Sequence, residues 1–386
     1  MREKENKASG GISVVRLEWM NRGKDFVKKN VVLVVAIIGA VITSFIIPPD
    51  MSYVGYFDYK TLTCLFCTLA VVCALKNINF FYILARRIVS HFKTTRMCVL
   101  ALVYITFIGS MLIANDMALL TFLPLGFYVL TSTGKQNLMA YVFILQNIAA
   151  NLGGMLTPFG NPQNLYIYTK YAISNDEFVK IMFPPFMLSI VIITICCLCI
   201  SSEKLEISDE YVAFDKKKAV IYAVLFALSI VIVFRVVPYL VGLIVIPAVL
   251  IVTDRKALKM VDYSLLFTFV SFFIFAGNLA RIEVIRNFFS GLLHTSTLLT
   301  SVFSCQCISN VPTAILLSQF TDNYKELLLG VNIGGVGTLI ASLASLITFR
   351  EYVKNNQGKT SYYIKMFSVM NFGFLIILTV ACYFVF

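Results

Sequence analysis

The feature that most constrains this chain is a series of long tracts with no charged residue. They cover residues 31–47, 181–202, 236–253, 263–280, 327–349 and 366–386. Most are close to the roughly 17–25 residues that a helix needs to cross a bilayer. With 59% apolar and only 13% charged residues, the chain departs from the balance of about half apolar and a quarter charged in soluble domains. It is therefore read as an all-α integral membrane protein, and soluble enzyme classes are excluded. A bilayer offers backbone groups no water, so each tract is expected to be helical.

Positive charge then sets sidedness. Residues 1–30 carry eight Lys and Arg and are read as a basic cytoplasmic segment rather than a cleaved leader, because the first apolar tract ends in Pro48-Pro49-Asp50. The C-terminus falls outside. The formal charge of +12 becomes a record of topology and anionic-lipid contact, with no nucleic-acid partner. The ten cysteines lie in or at the edge of apolar tracts. Cys64-x-x-Cys67 has no second pair and no nearby His, so they are expected to be packing residues.

Two tracts break the simple pattern. Residues 97–134 hold one charge, Asp116, and are too long for one span. They read as a re-entrant hairpin, about 96–134, turning at Ala114-Asn115-Asp116. Residues 136–169 hold no charge but are interrupted by Gly153-Gly154 and by Pro158-x-Gly160-Asn161-Pro162. They read as a broken span, about 136–173. The second half repeats the order with opposite sidedness: a hairpin, about 295–320, turning at Ser309-Asn310-Val311-Pro312, and a broken span, about 326–350. Before each hairpin an amphipathic stretch is expected to lie in the membrane interface. In the first, Phe80, Phe81, Leu84 and Ile88 form the apolar stripe and Arg86 and Arg87 lie off it. The second carries Ile282, Ile285, Phe288, Phe289 and Leu292. His91 and His294, near the ends of these stretches, read as surface residues, and Arg235 and Glu326 as interface residues. The expected architecture is two inverted repeats, 31–202 and 236–386, joined by a cytoplasmic loop and a linking span at 203–235, with about nine spans and two hairpins.

The repeats carry matching residues. Asn151-Leu152-Gly153-Gly154 with Thr157 sits beside Asn332-Ile333-Gly334-Gly335 with Thr338, and Ile113-Ala114-Asn115 sits beside Ile308-Ser309-Asn310. A helix broken at membrane depth frees N–H and C=O groups, which is tolerated only beside a cavity or ligand. Gly permits the unwound backbone, Asn, Ser and Thr offer neutral donors and acceptors, and helix N-termini favour anions. Two tips facing two breaks would make a central site flanked by two cation sites. Asn115, Ser309, Asn310, Thr313, Thr157 and Thr338 are the candidate solute contacts. Asp116, Asn151, Gly153, Gly154, Asn161, Asn164, Asn332, Gly334 and Gly335 are the candidate ion ligands. Asp116 is costly at membrane depth and would repel an anion, so it is assigned to Na⁺ or H⁺.

These motifs, with Thr157-Pro158-Phe159-Gly160-Asn161-Pro162-Gln163-Asn164 and Ser309-Asn310-Val311-Pro312-Thr313, resemble the ion transporter superfamily. That group holds divalent anion:sodium symporters, citrate transporters, arsenite permeases and sodium/proton antiporters. The resemblance implies a homodimer, elevator-like alternating access and a coupling ion in place of any bound cofactor. The symporters typically show Ser-Asn-Thr at both tips. Ala114-Asn115-Asp116 is more similar to the permease and antiporter branches. The expected function is a secondary active transporter of the plasma or inner membrane moving a small carboxylate or oxyanion. The alternative is a Na⁺/H⁺ antiporter or arsenite/proton exchanger working through Asp116. An intramembrane enzyme would need a nucleophile–base pair or a metal cluster, and the sequence offers neither. No Gly-x-x-x-x-Gly-Lys-Ser/Thr motif is present to drive transport with ATP.

Overall fold

The computed structural model describes residues 30–204, 215–356 and 358–385. The basic segment 1–29 and most of the charged loop after Lys204 lie outside the described residues. Every regular element among the described residues is helical. In chain order these are α1 (Val31–Ile46), α2 (Tyr59–Asn77), α3 (Phe80–Val89), α4 (Thr95–Ile113), α5 (Asn115–Ser132), α6 (Met139–Gly153) and α7 (Pro162–Lys170). Then come α8 (Asn175–Leu198), α9 (Lys216–Val233), α10 (Tyr239–Thr253), α11 (Arg255–Met260) and α12 (Tyr263–Ala280). The chain closes with α13 (Glu283–Thr295), α14 (Thr297–Ile308), α15 (Asn310–Leu317), α16 (Tyr324–Ile333), α17 (Leu343–Asn355) and α18 (Thr360–Val385). Six helical stretches are long and apolar enough to cross a membrane: α2, α4, Gln136–Leu156, α8, α12 and α18. At 12 residues, α14 is too short.

The chain divides into two compact units. The first pairs α1 with α12. Gly39 lets them approach, because a Cβ there would stand 3.0 Å from the Phe275 ring. Buried Asn278 donates to the Tyr53 hydroxyl at 2.9 Å. At the end of this unit Arg281 pairs with Asp50 at 2.8 Å. The Ser52 hydroxyl and that guanidinium hold the Asp50 carboxyl below its ordinary range.

The second unit carries everything else. In it α2 packs against α9, α10 and α11, and α4 packs against α5 and α6. The half-helices cross over: α7 lies against α15 and α16, while α17 lies against α5 and α6. At the base of the first hairpin Lys135 pairs with Glu203. The Thr95 N–H donates to the Glu203 carbonyl at 2.8 Å.

Several expectations shift. The structure starts α8 at Asn175, six residues before the uncharged tract, because Asp176 and Glu177 sit in its first turn, where acidic groups oppose the helix dipole. A short helix, α11, was not expected; Asp254 caps it by accepting from the Lys256 and Ala257 N–H groups. The expected apolar stripe of α3 divides, because Phe81 (8% exposed) packs inward. Leu84 (51% exposed) and Ile88 (42%) point outward, while Arg86 (8%) is buried, its guanidinium 5.4 Å from the Tyr128 ring centre. Around a protein in lipid the apolar stripe faces the solvent, and the cation is drawn to an aromatic face. Along α13 only Leu293 is buried, and Val284 and Phe288 are exposed.

Candidate functional site

Each hairpin turns on a single residue. Ala114 joins α4 to α5 with φ 66°, ψ 150°; Ser309 joins α14 to α15 with φ 76°, ψ 158°. Both occupy a region that glycine favours and other residues rarely enter, so the same strained reversal is built twice. After it, each Asn folds its Oδ1 back onto the next N–H. Asn115 accepts from Asp116 N, and Asn310 from Val311 N, both at 2.9 Å. This fixes both carboxamides, with Nδ2 pointing away. Asn115 Nδ2 donates to Asn151 Oδ1 at 3.2 Å. Asn310 Nδ2 lies 3.0 Å from where a Cβ on Gly335 would stand, and Asn151 Oδ1 lies 3.6 Å from the same point. The two tips therefore converge on Asn151 and Gly335.

The breaks match as closely. Helix α6 ends at Gly153, passes through a 3-10 turn at Gly154–Leu156, and resumes as α7 with Asn161 before its first residue, Pro162, a position proline favours. Helix α16 ends at Ile333 and resumes as α17 behind Ser342, whose Oγ accepts from Ser345 N at 3.2 Å. The Asn115 N–H donates to Gly160 O at 3.1 Å and the Asn310 N–H to Ala341 O at 2.9 Å. Thr157 Oγ1 donates to Met111 O at 2.7 Å and Thr338 Oγ1 to Gln306 O at 3.1 Å. Asn151 and Asn332 each donate back to the carbonyl four residues earlier.

The carbonyls freed at the breaks are held by side-chain amides, as buried polar groups require. Asn164 Nδ2 reaches Gly154 O, Met155 O and Thr157 O at 3.1–3.2 Å. In the second break the donor comes from a different element: Gln306 on α14 reaches Gly334 O at 2.9 Å and Val336 O at 3.3 Å, and its Oε1 accepts from Thr338 N. Amides also tie one break to the other. Asn332 Nδ2 donates to Asn164 Oδ1 at 2.6 Å, and Asn332 Oδ1 accepts from Asn161 at 3.1 Å and Gln163 at 3.4 Å. Asn147 donates to Ser345 Oγ at 3.2 Å. Two buried oxygens of this cluster, Asn161 Oδ1 and Gln163 Oε1, accept no hydrogen bond.

The structure thus brings together Asn115, Asn151, Asn161, Asn164, Asn310, Asn332, Gly154 and Gly335, while Gly153 faces Phe107 and Ser110 and Gly334 faces Cys305 on the hairpin arms. Asp116 sits half-buried in the first turn of α5. Thr157 and Thr338 are half-buried and spend their hydroxyls on the hairpin backbones. The Ser309 hydroxyl donates to Ala341 O at 3.2 Å. Thr313 turns back along its own helix and donates to Ser309 O at 2.7 Å. Gln306, Asn147, Ser342 and Ser345 carry no assignment from the sequence, and Gln163 enters it only as part of the 157–164 motif. The available signal was a lone amide inside an uncharged tract, as in Cys305-Gln306-Cys307.

Gly153 shows how tightly the first hairpin meets its break. A Cβ there would run into the Phe107 carbonyl and stand 2.7 Å from Ser110 Oγ. Neither group is the loose end of a flexible chain. Gly153→Ala is expected to lower unfolding stability by about 1–3 kcal/mol, read from denaturant titration of the detergent-purified protein.

Comparison with known proteins places this architecture. The sequence profile of the citrate transporter family matches residues 22–324. The chain belongs to the citrate transporter family. An uncharacterized transporter of Methanocaldococcus jannaschii, MJ0456, is 32% identical over 76% of this chain and 81% of its own length. The inner membrane protein YbiR of Escherichia coli K12 is 28% identical over 80% of this chain and 84% of its own length. A rice protein named silicon efflux transporter LSI3 is 31% identical over 44% of this chain and 35% of its own length. This member of the family is a multi-pass membrane transporter rather than an enzyme.

Proposed function

We propose that this citrate transporter family member is a secondary active transporter that moves a small carboxylate or oxyanion, coupled to Na⁺ or H⁺. The observation that carries the reading is the convergence of two identically strained hairpin tips on two broken helices, with Asn115 and Asn310 reaching Asn151 and Gly335. Non-helical backbone at membrane depth belongs beside a transported ligand. On this reading the halves 31–202 and 236–386 are inverted repeats and both hairpins are re-entrant. The hairpins and broken helices travel together in an elevator-like cycle, and α2, α9 and α10 belong to a scaffold that pairs two copies. The membrane is the plasma or inner membrane, with the N-terminus in the cytoplasm and the C-terminus outside.

Asn115 and Asn310 hold the solute, with Ser309, Thr313, Thr157 and Thr338 around them. Asp116, Asn151, Asn161, Asn164, Asn332 and the break glycines serve the coupling ion. Proteoliposomes loaded to hold a Na⁺ or a proton gradient test this directly. Labelled citrate or succinate is expected to accumulate under at least one gradient. Asn310→Ala is expected to raise the solute KM about tenfold, the equivalent of one charge-assisted hydrogen bond. If Na⁺ alone dissipates a pH gradient and no carboxylate or oxyanion enters, the reading is wrong. A second reading then takes over: a Na⁺/H⁺ antiporter or a proton exchanger for arsenite. What favours it is Asp116 as the acidic side chain next to a tip, while the side chains tied together at the breaks are amides and hydroxyls.

A further inference from the structure

Helix α9 ends in a left-handed residue, Arg235, at φ 64°. The Arg235 N–H donates to Ile232 O at 3.0 Å and the Val236 N–H to Val231 O at 3.2 Å. Glycine suits that closing position, and an arginine there is strained. Its side chain crosses to α7 instead. The guanidinium carbon lies 4.1 Å from the centre of the Tyr168 ring, and Nη2 donates to Tyr168 O. A cation is attracted both by the ring face and by the carbonyl end of a helix. Tyr168 cannot slip aside. It is 1% exposed, its hydroxyl donates to Asn175 Oδ1 at 2.5 Å, and its ring stands 5.8 Å from that of Phe178. Arg235 Nε is buried and has no partner, so α9 and α10 offer that atom no acceptor.

The residue before Arg235 takes the other end of α7. Phe234 meets Phe159 edge to face at 5.8 Å, and Phe159 lies in the break just ahead of α7. From that break, where Asn161 and Gln163 reach Asn332, α7 runs to Tyr168. Two adjacent residues therefore hold the half-helix at its start and near its finish. They come from α9, which packs with α10 on α2, whereas α7 packs on α15 and α16 as well as on α2. In the elevator-like cycle proposed above these two groups slide past one another, and this contact stands between them.

We infer that Arg235 is a positioning residue for transport: with Phe234 it clamps α7 in the arrangement of this structure, and the clamp opens and closes in each cycle. Arg235 acts through α7 rather than on the solute. A permanent helix end would be served better by glycine. The strain and the stranded Nε belong to a grip that has to let go. The inference rests on the transport cycle proposed above and adds the contact that gates it.

Two native thiols on α2 report on the clamp. Cys64, 1% exposed, lies near enough to Arg235 and Tyr168 to interact electrostatically with both. Cys67, 0% exposed, faces α10, its sulfur 3.3 Å from where a Cβ on Gly242 would stand. The test is the rate at which N-ethylmaleimide modifies each thiol of the full-length protein in proteoliposomes, assigned by tandem mass spectrometry. At rest, Arg235→Gly relieves the backbone and removes the grip. It is expected to speed modification of Cys64 about tenfold, equivalent to one cation–ring contact with its hydrogen bond, and to leave Cys67 unchanged. Arg235→Lys keeps a cation over the ring and falls between wild type and Arg235→Gly. In the wild type, citrate or succinate with the driving gradient is expected to speed Cys64 about threefold over rest, as the open state becomes populated. A wild-type Cys64 rate in Arg235→Gly overturns the clamp. A parallel rise at Cys67 also overturns it, because it marks general loosening. Cys64 that stays covered while labelled solute accumulates shows a contact that never opens, and this overturns the inference but leaves the transport reading standing. Absence of carboxylate and oxyanion uptake under either gradient defeats the transport reading and the cycle with it, and the resting comparison then decides by itself whether Arg235 holds α7.

Discussion

Asp116→Asn is expected to uncouple the transporter: uptake of labelled citrate or succinate no longer rises with an imposed ion gradient and falls at least tenfold, while the amount of protein inserted in the membrane is unchanged. The substitution keeps the size of the side chain and removes only its charge. Asp116 stands in the first turn of α5, two residues past the strained Ala114 and next to Asn115, whose N–H is held by Gly160 O. An ionised carboxylate at membrane depth costs roughly 2.5–3.5 kcal/mol on insertion scales, so neutralising it cannot hinder insertion. On the function proposed above, the effect then appears in the step where that carboxylate meets a cation or a proton. Each tenfold loss of ion affinity corresponds to about 1.4 kcal/mol, a small part of what a poorly solvated charge pair supplies. Initial rates with and without the gradient, normalised to protein in the vesicles, measure it. Gradient-driven uptake at the normal rate by Asp116→Asn would take Asp116 out of the mechanism.

Much of this fold is legible in the sequence because lipid removes the alternatives. Uncharged tracts must be helices, and the paired glycines Gly153-Gly154 and Gly334-Gly335 mark the breaks, whereas Pro124, Pro184, Pro185 and Pro247 stay inside unbroken helices. Charge is a poor guide to helix ends. Asp176 and Glu177 look like loop residues, yet at the start of α8 they favour the helix. It also misleads about burial: Arg86 looks like a water-facing residue on an amphipathic stretch, but with lipid outside, the exposed face belongs to Leu84 and Ile88. In the site, the tip and break asparagines stand out because they recur. Gln306 and Gln163 do not recur. Their partners are a carbonyl set free by the break and an asparagine from the other half, and neither relation exists before the chain folds. Recurrence also hides difference, since matched residues such as Asn151 and Asn332 hold unlike partners.

That difference gives the largest expected change in stability. Asn332→Ala should lower unfolding stability by about 2–4 kcal/mol, and Asn310→Ala by about 1 kcal/mol. Asn332 is 1% exposed and all its polar capacity is engaged: Nδ2 serves Asn164 Oδ1 and Leu328 O, and Oδ1 serves Asn161 and Gln163. Alanine leaves three buried carboxamides short of a partner at once. Hydrogen bonds between membrane helices average only about 0.6 kcal/mol, because an unfolded helix in lipid finds other partners. Here the stranded amides sit on short half-helices fixed by their own bonds to the break backbone, and they cannot turn to new ones. The cost of unsatisfied groups, about 1–3 kcal/mol each, therefore outweighs that average. Asn310 loses only its Oδ1 contacts with Val311 N and the Ser309 hydroxyl, and its Nδ2 faces the site. Denaturant unfolding of both purified variants, followed by solute affinity in the fraction that remains folded, separates the roles. Wild-type stability in Asn332→Ala would mean that the amide network joining the two breaks does not hold the fold together.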